Sequence, residues 1–236
     1  GSDMPADDKV LSDSACRKLK RIVRKHQSNA VVPAMGNWRK KSDSELWTYI
    51  VVQVSVVGNS NLPGLGETIS SYGDWYSRLA RQRKDKSLRE IHALLRDHGV
   101  RYCSKDRSKC RKSSALAKNL SLLKDRGGPQ NYMSELAKLK GDYNRARRVS
   151  DDMSYIKNKG SRDLLINLGL IRQGVALDAR IINILWDCGA YLSASDLGDR
   201  KFYDTVEAEI LERVCGPLGI NGSKFDRTLF QNYDVI

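Results

Sequence analysis

The chain has 236 residues, 40% of them hydrophobic, and its 41 Lys and Arg against 28 Asp and Glu give a formal net charge of +13. That is enough for one large domain or two small lobes, and the excess of cations signals a polyanionic partner, nucleic acid first and an anionic membrane surface second. No apolar run reaches the roughly 18 residues of a membrane span, no apolar signal core opens the chain, and five scattered cysteines argue against a disulfide framework.

Gly1 and Ser2 look like a tag remnant, and the polar, acidic residues 1–14 are expected to be flexible. A basic stretch comes next, with Leu19, Ile22 and Val23 at helical spacing, and predicts a first helix. Ser42 and Ser44 then offer N-caps, and Glu45 supports a helix start. Residues 46–57 are apolar and β-branched, and local propensity alone reads them as a strand. The turn-rich residues 58–64 form a loop. Helices are predicted over 72–83, over 87–98 with a stop at Gly99, over 113–124, and over 132–139 after the break at Gly127-Gly128-Pro129.

Farther on, a short helix over 150–156 leads into the turn Lys157-Asn158-Lys159-Gly160, and Ser161 caps a second helix over 162–170. Further helices are predicted from Leu177-Asp178 onward and over 201–215, with an irregular tail after Gly216-Pro217. Few strand signals remain, so the fold class is all-α.

Cys103 and Cys110 are separated by six residues and could share a metal with His92 or His98. Without a C-x-x-C pair, free thiols in a reducing cytosol are the plainer reading, and no metal is expected.

The hairpin and the segment downstream of it carry the chemistry. Two helices joined by a glycine-ended turn present helix N–H groups to a phosphate, and Lys157 and Lys159 add cations. An apolar run then leads to Asp178 at a helix start, where the dipole stabilises the anion. Such an anion can stabilise a cationic sugar and orient a nucleophile; Asp178 can equally be a plain N-cap.

These residues resemble the helix-hairpin-helix base-excision DNA glycosylases, of which the chain looks like a divergent member. In that family a hairpin of the form Leu-Pro-Gly-Val-Gly is followed by a helix and then by a catalytic aspartate. Here Ile156-Lys157-Asn158-Lys159-Gly160 takes the hairpin position and Leu177-Asp178-Ala179-Arg180-Ile181 the aspartate position. Residues 46–55, with Gln53, are similar to the early helix that ends in DNA-facing glutamines, which favours helix over strand there. Residues 94–120 are similar to the glycine-aromatic turn and Lys-Ala-rich helix. The likeness spans about residues 45–190.

The resemblance implies one catalytic unit over residues 15–236, with a two-lobed helical glycosylase fold. Its lobes would be about 45–145, and 146–236 with the N-terminal helix. It implies a monomer acting on double-stranded DNA, without a membrane, in the cytoplasm of a bacterial or archaeal cell or in a nucleus. A modified base would be flipped out and its N-glycosidic bond hydrolysed with Asp178 as the catalytic residue. Lys157, Asn158, Lys159, Gly160, Ser161, Arg162 and Arg180 would bind DNA. Gln53, Asn59, Trp47 and Tyr49 would line the base pocket or fill the gap, with Trp38, Trp75 and Trp186 as further aromatic candidates.

The departures bear on the chemistry. The hairpin lacks its first glycine and its proline. Where strand-nicking relatives carry a lysine stands Arg162, which cannot form a Schiff base. Water is then the expected nucleophile, with a lyase acting through a hairpin lysine as the alternative. Only Cys188 and Cys215 come after the aspartate, too few for an iron–sulfur cluster, and no cofactor is expected beyond a monovalent cation at the hairpin. A non-catalytic hairpin module is the reading from another class. A toxin-like nuclease lacks a carboxylate cluster. The excised base stays open among oxidised guanine, alkylated purines, mismatched bases and bulky modified phage bases.

Overall fold

A computed structural model describes residues 9–58 and 61–236, and among these every regular element is helical. The chain divides into two compact units, Gly1–Met35 with Leu165–Ile236, and Gly36–Leu164. The division falls between Leu164 and Leu165, inside a helix, rather than near residue 145, and the N-terminal helix lies in the same unit as the C-terminal part of the chain. No described helix is long and apolar enough to cross a membrane.

The first unit contains α1 (Asp13–His26), α10 (Ala179–Asp187), α11 (Arg200–Ile210), the single turn α12 (Gly216–Leu218) and α13 (Gly222–Gln231). Ser12 caps α1 through the Ala15 amide, and the helix buries Ala15, Cys16, Leu19 and Val23 along one stripe. That stripe joins Ile181 and Leu185 of α10, Val206 and Ile210 of α11, and Phe225 and Leu229 of α13 in one core. Each such large apolar side chain contributes about 1.5–3 kcal/mol. Residues 9–14 are not the flexible segment expected. Leu11 is wholly buried, and the amides of Val10 and Leu11 both donate to Glu209. The tail beyond Gly216 is not irregular either. Asn221 caps α13, which buries Phe225, Asp226, Arg227 and Leu229. The glycines around this stretch mask its helical period in the sequence.

The second unit is arranged around α2 (Asp43–Ser55), where Ser42 and Glu45 close a reciprocal capping box. It packs against α3 (Leu65–Ser70), α4 (Trp75–Arg81), α6 (Arg111–Asp125) and α7 (Pro129–Lys138). A helix covered on so many sides is apolar nearly all round, which is why its β-branched residues imitate a buried strand. Tertiary burial overrides the weak propensity. The short α3 is not apparent in the sequence. α5 (Lys84–Asp97), α8 (Asp142–Asp152) and α9 (Asn158–Asn167) complete the helices; the last residues of α9 belong to the first unit.

Candidate functional site

The hairpin is displaced from its expected register. Ser150-Asp151-Asp152 forms the last turn of α8 rather than a helix start, and the turn runs through residues 153–157. Tyr155 takes the left-handed conformation there at φ 68°, an uncommon state for a bulky residue. The helix α9 begins at Asn158, so Asn158 and Gly160 are helical and do not supply the left-handed step. A Cβ at Gly160 would lie 3.4 Å from Ile156 and 3.6 Å from Gln53 Nε2, in ordinary van der Waals contact. Ser161 is no cap; it is buried inside α9, with its hydroxyl on the Asn158 carbonyl at 3.0 Å.

Asn119 of α6 fixes the turn. Its Nδ2 donates to the Ser154 carbonyl at 3.0 Å, and its Oδ1 accepts from the Ser154 amide at 2.7 Å. Lys157 reaches back over α8, where its ammonium donates to the Ser150 and Met153 carbonyls at 2.8 and 3.0 Å. That placement completes the C-terminal end of α8. Arg162 is buried in α9, donates to the Asn158 carbonyl at 3.2 Å and lies 5.9 Å from the Tyr143 ring.

Asp178 is the N-cap of α10. Its Oδ1 accepts from the Ile181 amide at 3.0 Å, and the residue is half-buried. The backbone leading to it is buried and, in an all-helical surrounding, has no strand to pair with. Buried N–H and C=O groups must nevertheless be satisfied, and side chains do this here. The Val175 amide donates to Glu207 at 2.9 Å and the Ala176 amide to Asp226 at 2.6 Å. The Leu177 amide donates to the Tyr203 hydroxyl at 2.9 Å, and that hydroxyl donates onward to the Val175 carbonyl at 2.6 Å. Arg227 braces this set from α13, at 2.8 Å from both Asp226 and Asn167. A Cβ at Gly222 would lie 2.7 Å from the Gly174 carbonyl, so only glycine admits this contact between α13 and the loop before Asp178.

Sequence reasoning missed Asn119, Tyr203, Glu207, Asp226 and Arg227. One signal was readable: Glu207 falls on the stripe of Tyr203, Val206 and Ile210 at helical spacing, so a carboxylate sits on the apolar face of α11.

The other candidates are scattered over both units. Arg180 is exposed, donates to the Phe230 carbonyl at 3.2 Å and lies over the Phe230 ring at 4.6 Å. Trp47 is wholly buried beside Trp75 and Tyr76, and Gln53 is 5% exposed. Neither is exposed at the surface, because their helix is covered by four others. Nε1 of Trp47 and Nε2 of Gln53 have no hydrogen-bond partner among the described residues. Tyr49 is half-buried, with the Lys41 ammonium 5.2 Å from its ring. Asn59 lies outside the described residues. Trp38 and Trp75 are core residues, while Trp186 is 48% exposed.

No protein-family model matches the chain, and no curated protein matches it in sequence. Solved structures do match. The 8-oxoguanine DNA glycosylase of Methanocaldococcus jannaschii superposes with a TM-score of 0.63 at 13% identity, covering 91% of each chain. The same organism's 8-oxoguanine glycosylase/lyase, in complex with a 15mer DNA containing 8-oxoguanine, gives 0.64 at 14% identity over 94% of this chain and 97% of that one. The 8-oxoguanine DNA glycosylase of Thermotoga maritima gives 0.62 at 19% identity over 91% and 93%. At such identities the likeness establishes architecture: over nearly its whole length, the chain has the all-helical fold of these DNA glycosylase structures.

Proposed function

We propose that the chain is a DNA N-glycosylase that releases a base from DNA and leaves an abasic sugar. The observation that carries this reading is the placement of Asp178, a half-buried carboxylate at the start of α10 on backbone that Tyr203, Glu207 and Asp226 hold. Fixed charge positioned before the reaction needs no reorganisation during it. The +13 charge supplies phosphate binding, and the target nucleotide is extruded from the stack. As the glycosidic bond breaks, the base leaves with the electron pair and the sugar becomes an oxocarbenium ion that Asp178 stabilises. Water adds to C1′, giving its proton to Asp178 or solvent.

The reading is of a monofunctional enzyme, unlike the neighbour named a glycosylase/lyase. A buried guanidinium at position 162 cannot become an imine, and the Lys157 ammonium is held on α8 carbonyls.

The test is single-turnover base release from duplexes carrying 8-oxoguanine, an alkylated purine, a mismatch or a bulky modified pyrimidine. Asp178→Asn should bind DNA as the parent does and release base at least about a hundredfold more slowly. Parental turnover in that variant removes Asp178 from the chemistry, and binding without release from any duplex favours the non-catalytic module. Borohydride should trap no protein on an abasic duplex; an adduct lost in Lys157→Ala or Lys159→Ala would make the enzyme a lyase and name its nucleophile.

A further inference from the structure

We propose that His92, Cys103 and Cys110 form a binding site for a thiophilic divalent metal ion of the zinc class, with three protein ligands and one exchangeable position. One donor atom from each residue lies within 4.8 Å of the others. The site belongs to the second unit alone: His92 is on α5, Cys103 on the loop after it, and Cys110 caps α6.

The donor set fits such an ion, because it joins an imidazole to two sulfurs. The two sulfurs are 2.8 Å apart. Zn–S bonds of about 2.3 Å in a tetrahedron space two sulfurs by roughly 3.7 Å, so loading opens the pair by about 1 Å. A disulfide at about 2.05 Å would close it by a similar amount and leave His92 without a part. His92 Nε2 lies 2.7 Å from the Ser104 carbonyl. A carbonyl can only accept, so Nε2 is the donor in this contact, and Nδ1 is the ring nitrogen left to bind an ion. A histidine whose second nitrogen donates to a backbone carbonyl is the usual arrangement at a metal.

The surroundings favour a thiolate at Cys110. Cys110 sits at the N-terminus of a 15-residue helix, with the Ser113 hydroxyl at 3.0 Å from its sulfur, and a helix N-terminus favours the thiolate. The Lys112 ammonium is fully buried on the Ser55 and Val57 carbonyls and interacts electrostatically with both sulfurs. Two thiolates, a neutral imidazole and a divalent ion sum to zero charge, so loading places no net charge beside that lysine.

Access exists as well. A cavity of about 530 Å³, lined by Tyr102, Cys103, Ser104, Lys109, Arg111 and Tyr155, gives solvent a route to Cys103, and water supplies the fourth ligand. Tyr155 is the left-handed residue of the hairpin turn, so the ion braces the loop that faces that turn across the cavity. Among the described residues, Cys16, Cys188 and Cys215 belong to no such donor group.

The experiment titrates the reduced, chelator-treated full chain with Co²⁺ under argon. A single ion per chain is expected, with a thiolate-to-cobalt charge-transfer band and the strong visible bands of tetrahedral cobalt, both bleached by Zn²⁺. Cys103→Ser and Cys110→Ser should weaken uptake at least about tenfold, while Cys188→Ser leaves it unchanged. If the cluster variants do not fold, alkylation of the parent chain decides. Zn²⁺ should protect Cys103 and Cys110 and no other cysteine. The proposal is overturned by the absence of a cobalt spectrum, by uptake that survives both cluster changes, or by protection of other thiols. A Cys103–Cys110 cross-link in the untreated chain, with no uptake after reduction, overturns it too. None of these readouts depends on base release.

Discussion

Two stretches of irregular backbone carry the candidate residues, and they are held in opposite ways. Residues 175–177 are buried and take their partners from Tyr203, Glu207 and Asp226, which lie 26, 32 and 50 residues downstream of the backbone they hold. The hairpin turn is only half-buried at Ser154, where the neutral amide of Asn119 holds it, and the Lys157 ammonium holds the Met153 carbonyl at its start. Buried backbone without a sheet needs acceptors that do not leave. Solvent-touched backbone can exchange a lost partner for water. The aspartate segment should therefore be rigid and costly to disturb, and the hairpin turn cheaper and more adaptable.

Asp226 offers the sharpest way to break this contrast. Asp226→Ala removes the acceptor of the Ala176 amide and the carboxylate facing the buried Arg227 guanidinium. Unpairing a buried charge costs about 3–5 kcal/mol, to be read from the urea midpoint. Asp226→Asn keeps an acceptor and should cost less, while slowing base release through a shifted Asp178. Tyr203→Phe leaves the Leu177 amide and the Val175 carbonyl without their hydroxyl partner, at about 1–3 kcal/mol. Asn119→Ala also removes two hydrogen bonds, yet water can reach Ser154, so about 1 kcal/mol is expected. A larger loss in Asn119→Ala than in Tyr203→Phe would reverse the ordering of the two segments.

The same contrast explains which features are legible in the sequence. Asp178 announces itself locally, because an N-cap precedes its helix directly and the apolar run before it marks burial. Residues 46–57 are legible as helix only by likeness, since their composition reports burial on most sides and not period. The hairpin register is misleading because a glycine is the ordinary left-handed residue of a turn. Here Tyr155 holds that conformation, and Gly160 lies in the first turn of α9 in helical conformation. The anchors of the aspartate segment lie in α11 and α13, and no local pattern links Asp226 to Ala176. Gln53 and Trp47, candidates for the base pocket or the gap, lie inside because α2 packs against four helices.

The smallest effect expected separates the two hairpin lysines. Lys157 donates to two carbonyls at the end of α8, whereas no hydrogen bond holds Lys159 among the described residues, although it stands in the first turn of α9. Lys159→Ala should flatten the plot of log affinity against log salt by about one unit, because one phosphate contact is lost whatever the sequence of the duplex. Lys157→Ala should leave that slope nearly unchanged and instead lower stability by about 0.3–1 kcal/mol, the worth of a cation at a helix C-terminus. Equal flattening by both changes would mean that the Lys157 ammonium leaves α8 when DNA binds, which makes the turn the adaptable partner in the contrast. Unchanged slopes in both would take the turn off the DNA altogether.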